Sequence, residues 1–215
     1  MKEQLQKDFD NTIKNLTLSQ RDIEIKKFYL DNFINKGFPN RKEEDWKFSD
    51  LNQIIKKNIG ELSFYSDYTS TNKVDTSAFV DGLEHNKIVF INGRIEKIDF
   101  DYEKKDQIEI IDQSETINKF NNNSSLSDLN SAFTNKSFKI VVKEGYQLTK
   151  PLIIYNTTNS KIWSKNINLR LNFELYENSS LRLIDLFRDT SEKNFLNIFY
   201  NFDLKENSIL KNYKV

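Results

Sequence analysis

Phe173-Glu-Leu-Tyr-Glu-Asn-Ser-Ser-Leu181 and Phe202-Asp-Leu-Lys-Glu-Asn-Ser-Ile-Leu210 are two versions of one pattern. Their shared Glu-Asn-Ser cores begin at Glu177 and Glu206, 29 residues apart. A looser version, Val142-Lys-Glu-Gly-Tyr-Gln-Leu148, lies upstream, with Glu144 placed 33 residues before Glu177. In each, alternating apolar residues run into Glu followed by Asn or Gly, and a second alternating run follows. Asn and Gly tolerate a left-handed backbone, so the pattern reads as strand, tight turn, strand, recurring at about the length of one solenoid coil. Such a unit cannot bury its apolar face alone and has to stack on its neighbours.

Composition bounds what the chain can do. The 32 Lys and Arg balance 32 Asp and Glu, leaving a formal net charge of +0. No global field is available to hold nucleic acid or an anionic membrane, and neither is expected as a partner. The 37% hydrophobic content includes 17 Phe and 9 Tyr, enough for a core despite a mean hydropathy of −0.68. Zero Cys excludes disulfides and thiolate ligands within these residues. No apolar run approaches the roughly 20 residues of a membrane span, and the acidic, Gln-rich start lacks a signal peptide's apolar stretch. The expected location is the cytoplasm.

Periodicity divides the chain. Leu5, Phe9, Ile13 and Leu16 form one helical stripe. Ser19 is placed to cap a second helix with Asp22 three residues on; Ile25, Phe28, Tyr29 and Phe33 make its buried face, and Gly37 and Pro39 end it. The stretch from Asn40 through Trp46 and Phe48 to Leu51, Ile54 and Ile55 reads as a third helix, with Asn40 as cap and Glu43 in the reciprocal position. Residues 65–77 are Ser-, Thr- and Asn-rich and read as a linker. The period then drops from about 3.6 to 2. Lys87-Ile-Val-Phe-Ile91, Asn92-Gly93 and Arg94-Ile-Glu-Lys-Ile98 spell a hairpin, and Gln107-Ile-Glu-Ile-Ile111 another strand. Residues 117–133 read as a loop with one or two helical turns, and strands follow to the end. The expected fold class is therefore α+β, with a helical unit over residues 1–80 and a β unit over 86–215.

The stretch Gly37-Phe-Pro-Asn-Arg-Lys-Glu-Glu-Asp-Trp-Lys-Phe-Ser-Asp-Leu51 resembles the amino-terminal signature of the SufB/SufD family, subunits of the SUF scaffold for iron-sulfur cluster assembly, and specifically its SufD branch. Val89-Phe-Ile-Asn-Gly-Arg94, Leu129-Asn-Ser-Ala-Phe133, Val142-Lys-Glu-Gly145, Lys150-Pro-Leu152 and Leu183-Ile-Asp185 follow in that family's order, and Leu210-Lys-Asn-Tyr-Lys-Val215 is similar to a family stretch. The resemblance covers the chain from about residue 25 onward. It implies an amino-terminal helical domain followed by the first coils of a right-handed parallel β-helix. It also implies a non-enzymatic role beside SufB-like and SufC-like partners, the latter an ATPase. The iron-sulfur cluster would sit on the assembled complex, with no cofactor or metal held by this segment. Arg41, Glu44, Trp46, Asn92, Gly93, Gly145 and Pro151 are the signature positions, each expected to serve structure. Family members are about twice this length, so the distal coils, the SufC-recruiting helices and an interface His have no counterpart to carry over. The Glu-Asp-Trp-Lys run favours SufD over SufB, and the lack of Cys gives SufB no support.

His85, in Gly82-Leu-Glu-His-Asn86, has only Glu84 beside it and reads as an exposed loop residue. Glu43, Glu44 and Asp45 are adjacent on one turn, so they diverge and read as a solvated start of a helix. Trp46 reads as a packing anchor between the two units, and Trp163 as a strand residue facing the core or a neighbouring coil. The Glu-Gly and Glu-Asn turns lack the dense Asp and Gly pattern of calcium-binding solenoids. An alternative function, a β-helix carbohydrate-active enzyme or binding module, would need paired carboxylates such as Asp185 and Asp203 on one groove. Finally, the coil ending at Val215 has no successor in this sequence. With about 300 Å² of apolar area open, roughly 7 kcal/mol is at stake, and self-association through that end is expected.

Overall fold

A computed structural model describes residues 2–64, 79–113, 124–158, 163–189 and 193–215. The residues read as a linker, 65–77, fall outside it, as do 114–123 and the Asn-rich positions 121–123. The fold is α+β. Among the described residues, helices α1 (Lys2–Lys14), α2 (Gln20–Lys36), α3 (Leu51–Asn58) and α4 (Ser125–Phe133) accompany nine strands. Those strands are β1 (Asn86–Ile91), β2 (Arg94–Asp99), β3 (Ile108–Asp112), β4 (Ser137–Val142), β5 (Leu152–Thr158), β6 (Asn166–Leu175), β7 (Ser180–Asp189), β8 (Phe195–Leu204) and β9 (Ile209–Lys214).

The strands form two sheets, ordered β2-β1-β5-β7-β9 and β3-β4-β6-β8. From β4 onward, consecutive strands alternate between them, and each pairs in parallel with the strand two places on. Among the described residues, only the flanking pairs β1/β2 and β3/β4 are antiparallel. The register turns the sequence repeat into rows: Ile140 lies beside Phe173 and Phe173 beside Phe202, while Val142, Leu175 and Leu204 make the next row. All of these but the exposed Leu204, with Ile88, Phe90, Leu152, Ile154 and Leu183, fill the space between the sheets.

The turns stack as the strands do. Gly145, Asn178 and Asn207 all have positive φ, at 70°, 56° and 56°, the left-handed conformation their residue types permit. The Gly145 N–H donates to the Glu177 carbonyl at 2.8 Å, and the Asn178 N–H to the Glu206 carbonyl at 3.0 Å. Asn207 Nδ2 donates to Asn178 Oδ1 at 3.3 Å. Each turn therefore satisfies polar groups of the next, which is what makes the repeat additive.

Several local readings are corrected. The expected third helix is two pieces: a short 3-10 turn at Glu44–Trp46, then α3, whose N-cap is Asp50 (Oδ1 accepting from Gln53 N at 3.0 Å). Asn40 and Glu43 do interact, the Asn40 N–H donating to Glu43 Oε1, but they close a turn that does not propagate. In α2 the Ser19 cap and the Gly37 stop stand as expected. Phe28, expected in its buried face, is exposed, and the inward stripe is Ile25, Lys26, Tyr29, Leu30 and Phe33. The cause is α4. Expected as a turn or two, it is a nine-residue helix whose side chains are almost all buried between α2 and the outer face of the β4-β6-β8 sheet. Leu129, Ala132 and Phe133 of α4 join Leu5, Phe9, Tyr29, Leu30 and Phe33 in one core cluster.

That outer sheet face is polar, as alternation demands. Asn166, Asn168 and Arg170 face α4 while Ile167, Leu169 and Leu171 are buried on the other side. The polar face is nonetheless buried, so its groups are hydrogen-bonded. Asn130 Nδ2 donates to the carbonyls of Leu169 (3.1 Å) and Asn197 (2.9 Å), Arg170 donates to Ser131 Oγ and Asn130 Oδ1, and Asn197 Nδ2 reaches the Leu126 carbonyl.

Candidate interaction surface

Strands β8 and β9 are the outermost members of their sheets and lie at the same end of the stack, each paired on one side among the described residues. Their alternating sequences aim Tyr200, Phe202 and Leu210 toward the core, where they are only partly covered. Phe187, Leu204, Ile209, Tyr213 and Val215 are exposed, Ile209 and Tyr213 at 55% and Val215 at 75%. An exposed row of unpaired backbone groups flanked by apolar side chains is a template for a further strand on each sheet. The surface also carries cations: Lys205 pairs with Asp203 at 2.8 Å, and Lys211 and Lys214 project from β9. Charge of this kind limits indiscriminate edge pairing.

One polar group sits inside the stack beneath this surface. The row Ile88, Ile154, Asp185, Lys214 crosses four strands in register, so a carboxylate takes the place of a core aliphatic and a lysine of the outer strand lies directly beside it. Asp185 is fully buried and accepts a hydrogen bond from the Tyr200 hydroxyl of the facing sheet. Burial pushes its carboxyl above the usual range, a rise that Tyr200 and Lys214 offset only in part. Burial, then the charge of Asp185, drives the Tyr200 phenol up as well. Asp185 Oδ2 has no hydrogen-bond partner among the described residues. An acid raised in this way binds its proton better when folded, so its contribution is most favourable at low pH and is lost as pH rises through the folded value. Asp185→Asn should therefore stabilise the protein by about 1 kcal/mol at pH 7 and by nothing measurable near pH 4. Urea unfolding at the two pH values checks this, and a loss of stability at pH 7 would refute it.

The carboxylates considered for carbohydrate chemistry do not share a face. Asp185 lies in the interior of one sheet, whereas Asp203 belongs to the other sheet and is exposed beside Lys205. No group of three His, Cys, Asp or Glu capable of holding a metal is present among the described residues. No described helix is long and apolar enough to cross a membrane.

The signature positions are dispersed. Arg41 and Glu44 are exposed, with Glu44 paired to Lys47 at 2.9 Å. Trp46 is half-buried and packs on the helical core cluster. Asn92 (φ 53°) and Gly93 (φ 78°) form the β1–β2 hairpin turn, and the Asn92 N–H donates to the Thr157 carbonyl. The Pro151 carbonyl accepts from the Asn86 N–H at 2.9 Å, fixing the start of β1 beside β5.

His85 and Trp163 are corrected in opposite senses. His85 is buried: Nδ1 lies 2.6 Å from the Leu83 carbonyl and Nε2 2.8 Å from Tyr155 Oη, which also accepts from the Val80 N–H. The imidazole thereby ties the segment before β1 to β5. Trp163 is 55% exposed, precedes β6, and carries Lys193 Nζ 5.2 Å from its ring centroid. It borders a pocket of about 560 Å³ walled by Phe38, Ile55, Lys56 and Phe64. A further anchor escaped the sequence reading: Glu103 accepts from Tyr146 Oη, Asn86 Nδ2, and the N–H groups of Thr149 and Lys150. Burial pushes its carboxyl up, but these donors outweigh that and hold it below the usual value. No local pattern marks such a long-range acceptor.

Comparison with protein-family models and with curated proteins finds no match to this chain.

Proposed function

We propose that this chain is a SufD-like, non-catalytic scaffold subunit of iron-sulfur cluster assembly, working beside SufB-like and SufC-like partners in the cytoplasm. Its β-rich unit is read as the opening coils of a parallel β-helix, right-handed as parallel crossovers almost always are. The observation that carries the reading is the alternation of β4 to β9 between two sheets with in-register stacking of the Gly145, Asn178 and Asn207 turns. The order of the family-like motifs and the helical unit preceding the strands support the same reading. On it, the β8/β9 edge is where stacking would continue, and chemistry belongs to the partners.

The scattering of Asp185 and Asp203 weighs against the carbohydrate-active alternative. The test is reconstitution. The chain, tagged and expressed from its natural reading frame with purified SufB-like and SufC-like subunits, should elute with both as one complex in gel filtration. Separate elution of all three would overturn the proposal, as would turnover of an acidic polysaccharide that disappears in Asp185→Ala.

A further inference from the structure

Lys26 lies on α2 and is only 1% exposed, among the largest fully buried side chains of the protein. Its ammonium reaches the last turn of α4, where Nζ donates to the carbonyls of Thr134 (2.6 Å), Ala132 (3.3 Å) and Ser131 (3.4 Å). A helix leaves its last carbonyls without intrahelical donors, and its dipole favours a cation there, so Lys26 acts as a C-terminal cap delivered by another helix. All three acceptors are neutral. The charges that face the amine from neighbouring elements are Arg170 on β6, which repels it, and Asp22 on α2, which attracts it. Arg170 is itself buried, stacked 4.6 Å from the Phe199 ring centroid, with Tyr29 of α2 acting on it. The Lys36–Asp128 pair at 2.7 Å joins the same two helices.

A buried ammonium whose partners among the described residues are neutral carbonyls, next to a second buried cation, keeps its proton poorly. Burial first and Arg170 second lower Lys26 from its ordinary 10.5 to about 7. We propose that Lys26 is a proton-operated latch between α2 and α4, so that detaching the helical unit from the β-rich unit takes up one proton. An amine that holds its proton less well when buried makes every opening that exposes it a proton-binding event. Opening is thus easiest below pH 7 and becomes harder as the pH rises toward 10.5. The device works across the range where the amine changes charge, with the β4-β6-β8 sheet and α4 as the fixed body and α2 as the released one.

The experiment is the proton linkage itself. Urea unfolding of the full chain is measured at pH 7.5, 8.5 and 9.5 for the wild type and Lys26→Met, alongside a carbon-13 NMR titration of the Lys26 side chain. The wild-type unfolding constant should fall by up to about tenfold per pH unit relative to Lys26→Met. The Lys26 resonance should titrate well below the other lysines, and Asp22→Asn should move its midpoint lower still. Equal pH slopes in the two proteins would overturn the proposal. If Lys26→Met does not fold, the NMR titration alone decides: a Lys26 midpoint among those of the surface lysines would overturn the latch.

Discussion

Replacing Phe173 by alanine should lower the free energy of unfolding by about 3–5 kcal/mol, the usual cost of removing a buried phenyl ring and leaving a cavity. Phe173 is 1% exposed and central to the packing between the sheets. Its ring lies 5.4 Å from that of Phe202 and 6.1 Å from that of Tyr200, centroid to centroid, so the substitution also breaks an aromatic stack running from β6 to β8. The surroundings are poorly able to collapse into the gap, because β6 is pinned in register by β4 and β8 on its two sides. Phe202, the matching residue of the next repeat, is only partly buried on an outer strand. Phe202→Ala should accordingly cost less than half as much. Natural domains are stable by about 5–15 kcal/mol, so Phe173→Ala should leave a barely folded protein. Denaturant titration of the two variants checks the ranking. Equal losses would mean that the outer strand is covered as fully as the inner one.

Gly93→Ala should cost about 2–4 kcal/mol, the sum of left-handed backbone strain and overpacking. Gly93 has φ 78°, and a Cβ built on it would lie 2.9 Å from Ile167 Cγ2, a methyl fixed on a β-branched, buried side chain of the opposite sheet. Gly145 is the informative comparison. Its φ of 70° imposes similar strain, but a Cβ there meets nothing within 4 Å. Gly145→Ala should therefore cost only about 1–2 kcal/mol, the backbone part alone. The difference between the two measures the close approach of the hairpin turn to β6, and its absence would show that the turn can shift away from Ile167 freely.

What was legible in the sequence is what depends on neighbours a few residues away. Strand and turn alternation, the left-handed Asn178 and Asn207, the Asn92-Gly93 hairpin and the Ser19 and Gly37 ends of α2 follow from backbone sterics and side-chain period, which any stretch carries with it. The repeat spacing of 33 and 29 residues likewise reappears as strand register, Ile140 pairing with Phe173 and Phe173 with Phe202, because matching apolar positions must fall on one face of the sheet.

Burial of polar residues was settled elsewhere. Asn166, Asn168 and Arg170 lie on the polar side of an alternating strand, and they are buried because α4, distant in sequence, lies against that side. Phe28 is exposed and Lys26 buried because α2 turns the latter toward the end of α4, where an ammonium finds three carbonyls that a phenyl ring could not satisfy. His85 is drawn inside by Tyr155, and Asp185 by Tyr200. Residue type and spacing determined which conformations and repeats this chain adopts. Only the tertiary structure decided which polar groups leave water, because that depends on finding a partner across many residues of intervening chain, and desolvation is repaid only where such a partner exists.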